Sequence, residues 1–150
     1  MNWPKFVASG GGAGYAPQAP GTWGSGVGLA IGALLLAMGH APLFFGILVA
    51  SAGGVWAVQR VDGSYDPGWI VIDEIAGQMI AMFALPHNSV FGLVLAFVLF
   101  RFFDITKLGP IGWADGRHDA WGVMGDDWIA GVFAMLCLLL LRLVIPVPTP

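Results

Sequence analysis

The sequence predicts an all-α fold: a polytopic membrane helical bundle with short transmembrane helices and a Gly/Pro-rich cytoplasmic N-terminal loop. Three observations predict it. Only 10 % of the 150 residues are charged and 57 % are hydrophobic, whereas a soluble domain carries roughly 25 % charge. The charges are clustered, with none between Phe6 and Gln59, none between Ile75 and Phe100, and only Arg142 after Asp127. Mean hydropathy is +0.80, more apolar surface than a small soluble chain can withdraw from water. This excludes a soluble enzyme and a disordered segment. A net charge of −3 leaves no basic footprint for nucleic acid.

Taken in order, the N-terminus Met1-Asn2-Trp3-Pro4-Lys5 runs into glycines and does not have the apolar stretch of a cleavable signal peptide. Residues 9–26 are Gly-rich and read as a loop. Five apolar segments follow as candidate helices: Val27 to Gly39, Leu43 to Val58, Trp69 to Leu85, Ser89 to Asp104, and Asp127 to Ile145. Most are shorter than the ~20 residues that span a hydrocarbon core, and the first two also fit one bent, re-entrant pair. Breakers divide them at His40-Ala41-Pro42, Asp62-Gly63-Ser64 through Pro67-Gly68, Pro86-His87-Asn88 and Gly109-Pro110. No linker divides residues 1–150, so a single domain is expected. The lone Cys137 in an apolar run offers neither an intramolecular disulfide nor a thiolate metal site.

Orientation follows from Lys and Arg. With the N-terminus in the cytoplasm, Lys5, Arg60, Arg101, Lys107 and Arg117 are inside and only Arg142 is near the outer end, as the positive-inside rule requires. Arg142 is expected to snorkel outward. All nine acids and all seven Trp fall at inner loops or inner helix ends. Transporters and channels place ionisable groups near the midplane with access from both faces. A one-sided polar cluster instead suits chemistry on a lipid headgroup.

Four stretches carry that chemistry. In Val71-Ile72-Asp73-Glu74-Ile75-Ala76-Gly77, two carboxylates stand at the inner end of an apolar helix, and Asp73 shares a face with Gly77. Asp126-Asp127-Trp128-Ile129-Ala130-Gly131 repeats the spacing, with Asp127 four residues before Gly131. Asp126 and Asp127 also fit simple capping of a helix N-terminus. Several acids beside lipid need neutralising, either by shared protons or by a hard divalent cation, which carboxylate oxygens suit. Arg101, Asp104 and Lys107 recur every third residue. They fit an ion-pair ladder, or Asp104 on metal with two cations on phosphate oxygens. The fourth stretch, Ser9 to Gly26, has glycines that let backbone N–H groups approach a phosphate, with Gly21, Thr22 and Ser25 as candidate contacts. It lacks the Gly-Lys-Ser/Thr ending of a nucleotide P-loop.

Four blocks, in order over roughly residues 9 to 131, resemble the phosphatidylglycerophosphatase A family: 16–25 (APQAPGTWGS), 71–77 (VIDEIAG), 100–107 (FRFFDITK) and 122–131 (GVMGDDWIAG). The resemblance implies a Mg²⁺-dependent phosphatase of the bacterial inner membrane, its active site facing the cytoplasm. Its partner would be a phospholipid, phosphatidylglycerophosphate, converted to phosphatidylglycerol and inorganic phosphate. The expected metal ligands are Asp73, Glu74, Asp104, Asp126 and Asp127, with Asp73, Glu74, Asp104 and Asp127 catalytic. Arg101, Lys107, Thr22, Gly21 and Ser25 are expected on the substrate. The chain departs from the family at Leu108-Gly109, where Pro and an aromatic are usual, and at His118-Asp119-Ala120-Trp121, where a Lys-Gly-Gly-like stretch is common. Arg117 or His118 would stand in for that cation. The alternatives are a headgroup transferase, to which Asp62-Gly63 alone points, and a membrane protein that binds cations without chemistry. The sequence does not fix the oligomeric state.

Overall fold

The computed structural model describes residues 2–61 and 66–144, and all of its regular structure is helical. A short helix α1 (Trp3–Ala8) leads through a 3₁₀ turn (Ala13–Tyr15) into α2 (Pro20–Met38) and α3 (His40–Arg60). After the next loop come α4 (Ile72–Met82), α5 (Val90–Thr106), the short α6 (Pro110–Asp115) and α7 (Ala120–Val144). Helices α2, α3 and α7 are long and apolar enough to cross a membrane. The first two apolar segments are therefore separate helices of spanning length. Ile145, Asp62 and Gly63 lie outside the described residues.

The sequence reading of residues 9–26 as a loop is corrected at its C-terminal end. Helix α2 begins at Pro20, not Val27, so Gly21, Thr22, Trp23, Gly24 and Ser25 are helical. Pro20 stands in the first turn, where its fixed φ suits a helix and its missing N–H costs nothing. Glycine is used here for close approach. A Cβ on Gly24 would lie 2.6 Å from Val71 Cβ, and one on Gly28 2.7 Å from the Ile75 carbonyl oxygen. Small residues every fourth position let two helix backbones pack tightly without a hydrophobic driving force.

Helix α4 is the centre of the bundle. At 1.5 Å per residue its eleven residues reach about 16 Å, half a hydrocarbon core, yet nine of them are buried. Its far end therefore stops inside protein: Phe83 and Leu85 donate back to the Ile80 and Met82 carbonyls, and the turn that follows needs partners for its own. Arg142 of α7 donates to the Ala84 carbonyl at 2.7 Å, and His40 Nε2 lies 2.9 Å from the Leu85 carbonyl. Arg142 thus anchors the turn after α4 rather than snorkelling away from the protein. Its charge also suits the negative end of that helix.

Candidate active site

The site forms where the first turn of α4, the last turn of α5 and the second turn of α7 meet at one end of the bundle. Asp119 accepts the Gly122 N–H at 2.7 Å and serves as the cap of α7. Asp126 and Asp127 lie well inside that helix, so the capping reading of these two acids is excluded. They sit where they do because α4 and α7 run side by side in the same direction. A Cβ on Gly77 would lie 2.6 Å from the Asp127 carbonyl oxygen, and one on Gly131 would collide with the Gly77 carbonyl. The two glycines let the backbones touch, and the acids one turn before them, Asp73 and Asp127, are brought together. The Asp-x₃-Gly echo is the imprint of this crossing.

Asp73, Glu74 and Asp127 offer ligand oxygens within 4.8 Å of one another. Asp73 and Asp127 are 4 % and 2 % exposed. Asp73 Oδ1, Glu74 Oε2 and Asp127 Oδ1 are buried with no hydrogen-bond partner. Three converging carboxylates, each with a buried oxygen that has no donor, suit a hard divalent cation, which takes oxygen ligands and often only a few carboxylates.

Asp104 and Asp126 are engaged differently. Asp104 pairs with Arg101 and, at 3.3 Å, with Lys107. Lys107 also pairs with Asp126 and, at 3.4 Å, with Asp115. Lys107 closes α5 in the left-handed region, φ 49°, which turns the chain sharply beneath its own side chain. Burial alone would lower the Lys107 pKa, but the carboxylates of Asp127, Asp126 and Asp104 outweigh it and hold the ammonium well above its usual value. This lysine is a fixed positive charge.

The start of α2 closes the side nearest Glu74. A Cβ on Gly21 would collide with Glu74 Oε1 and lie 3.2 Å from Arg101 Nη1. Ser25 is fully buried; its hydroxyl donates to the Gly21 carbonyl at 2.8 Å and lies 3.5 Å from Arg101 Nη1. Thr22 is exposed. Arg117 is turned away from the cluster: it pairs with Asp119 at 2.6 Å and lies over the Trp113 ring.

Sequence reasoning missed three residues. Asp115 reaches Lys107 from α6, a helix the hydropathy pattern is too short to reveal. Asp66 lies in the loop before α4. Loss of water around its carboxyl raises its pKa to about 6, with Lys107 opposing and Asp115 and Asp104 reinforcing the rise. Gln78 is fully buried, and neither of its amide atoms has a partner. A glutamine within an apolar run was the available signal for it.

The sequence profile of phosphatidylglycerophosphatase A matches residues 6–142. A phosphatidylglycerophosphatase A of Haemophilus influenzae is 37 % identical over 142 residues, covering 91 % of this chain and 86 % of the relative. That of Escherichia coli is 37 % identical over 136 residues, covering 86 % and 77 %. A Bacteroides thetaiotaomicron protein named as a candidate phosphatidylinositol-3-phosphatase is 31 % identical over 154 residues, covering 95 % of each chain. No solved structure matches the chain. With the family profile matched over residues 6–142 and two relatives 37 % identical over most of its length, this chain belongs to the phosphatidylglycerophosphatase A family.

Proposed function

We propose that this protein hydrolyses the terminal phosphate monoester of phosphatidylglycerophosphate, releasing phosphatidylglycerol and inorganic phosphate, with Mg²⁺ held by Asp73, Glu74 and Asp127. The observation that carries the cation is the convergence of three carboxylates, each with a buried oxygen that lacks a donor. Charge supports it too. Asp73, Glu74, Asp104, Asp126 and Asp127 outnumber Arg101 and Lys107 by three, and a phosphate dianion would be repelled from so negative a place. The bound cation supplies positive charge to the phosphoryl oxygens and makes water a stronger nucleophile.

The protein's own groups do the rest. Arg101 offers a planar fork and Lys107 a point charge for phosphate oxygens. Asp104 holds both cations in register, since it touches each, and Asp126 fixes Lys107 from α7. Gly21 keeps the space beside Glu74 and Arg101 open, because any side chain there would fill it. Ser25 acts from behind Arg101, and Thr22 stands exposed on the same turn of α2 for headgroup contact. The acyl chains stay in the bilayer around α2, α3 and α7. Lys5, Arg60, Arg101, Lys107 and Arg117 belong to the site's end of the chain topology and Arg142 to the other. That asymmetry supports a site facing the cytoplasm at the bacterial inner membrane.

The test is phosphate release from phosphatidylglycerophosphate by detergent-purified protein, with Mg²⁺ and with excess chelator, beside phosphatidylinositol 3-phosphate as a second substrate. Release from the first substrate that needs Mg²⁺ is expected. Release that survives chelation refutes the cation. Preference for the inositol lipid refutes the headgroup. No release from folded protein refutes the reaction.

A further inference from the structure

We infer that Gln78 is a positioning residue for Glu74: its amide N–H donates to the Glu74 carboxylate and fixes that carboxylate's aim once a divalent cation is held in the cluster. The inference deepens the cation reading proposed above and rests on it. Gln78 is 0 % exposed, and both its amide nitrogen and its amide oxygen lack partners. Glu74 Oε2 is likewise buried and unpaired. The two residues stand four apart in α4. They therefore lie on one face, one turn above the other, with Cβ atoms about 5–6 Å apart, a spacing at which a glutamine amide and a carboxylate meet.

Gln78 is packed tightly on its α2 side. Gly28 of α2 presses on it so closely that a Cβ there would lie 3.1 Å from Gln78 Cβ. A buried amide with no partner is destabilising, and an apolar side chain of similar size would pack there at less cost. A carboxylate accepts on both oxygens. Glu74 can give Oε1, on the Gly21 side, to a cation and keep the unpaired Oε2 for Gln78. Partners of this kind, one step behind the ligands, typically set metal affinity by 10–100-fold.

The experiment is a Mn²⁺ titration, read by electron paramagnetic resonance of the free ion, on the full chain in detergent without substrate. Gln78→Met keeps the volume and removes the donor. We expect about tenfold weaker Mn²⁺ binding, with a cation-free unfolding temperature equal to the parent's or higher. Gln78→Asn keeps an amide but withdraws it by one methylene, and weaker binding is expected there too. If Gln78→Met does not fold, the Gln78→Asn titration decides. Parent-like Mn²⁺ affinity in a folded variant overturns the role of Gln78 while leaving the cation site standing. A parent protein that binds no Mn²⁺ overturns the cation reading and this inference together.

Discussion

Gly77→Ala tests the crossing that assembles the site. The added methyl would lie 2.6 Å from the Asp127 carbonyl oxygen and 2.5 Å from a Phe100 ring carbon. Carbon–oxygen contacts in helix interfaces settle near 3.3–3.6 Å, so α4 and α7 must part by roughly 0.7 Å. The ring can tilt, but the carbonyl is backbone and α7 must move with it. Overpacking of this kind costs about 1–3 kcal/mol, and alanine recovers about 1 kcal/mol of helix propensity. The net loss of stability is then about 0–2 kcal/mol, small enough for the variant to fold. Activity should fall much further. Asp73 is one turn from this contact and Asp127 is part of it, and a displacement near 1 Å in a positioned site costs on the order of 10²-fold in rate. The control is Gly26→Ala, where a Cβ meets nothing within 4 Å; it should keep full activity and gain up to about 1 kcal/mol. Both variants would be compared by thermal unfolding in detergent and by phosphate release. A Gly77→Ala protein as active as the parent would refute the argument that this contact sets the carboxylate geometry.

Other substitutions test other parts of the reasoning. Asp73→Asn and Asp127→Asn should each lower phosphate release at least 10²-fold with folding preserved, because each leaves a neutral amide where a cation ligand is needed; full activity in both refutes the cation assignment. Asp66 carries a pKa raised from 3.8 to about 6, so the folded protein holds its proton more tightly than the unfolded chain. Stability should therefore decline slightly as pH rises from 4 to 6 and level off above that window. The effect is small because the residue as a whole is exposed and only its carboxyl loses part of its water, and Asp66→Asn should remove this share of the slope in pH-dependent unfolding. Arg142→Leu leaves the Ala84 carbonyl without its donor at the buried end of α4. A loss of about 1–3 kcal/mol is expected in thermal unfolding, and an unchanged unfolding temperature would show that another group takes over.

Much of this protein was legible in its sequence because a membrane imposes strong rules on composition. The scarcity and clustering of charge required apolar helices and put the acids at one end, and both follow from the cost of charge in hydrocarbon. The Asp-x₃-Gly spacing was visible twice. Its meaning was not, because a spacing within one helix does not say which other helix it faces. Residues 20–26 were misread as loop for a related reason: glycine's poor helix propensity is a local property. The packing of Gly24 and Gly28 against α4 that overrides it is not local.

The sequence by itself determined the class of fold, the family resemblance and the roster of acids and cations. Only tertiary structure decided how that roster divides. Asp73, Glu74 and Asp127 face one another without donors, while Asp104 and Asp126 are bound to Arg101 and Lys107. It also decided that Arg142 anchors the turn after α4 and that Gln78, one turn along from Glu74, is fully buried. The physical reason is that hydropathy is additive along a chain, whereas the partner of a carboxylate depends on how closely two helices approach. Here that distance is set by Gly77 and Gly131, each one turn from the acid of its own helix but far in sequence from the acid it brings near.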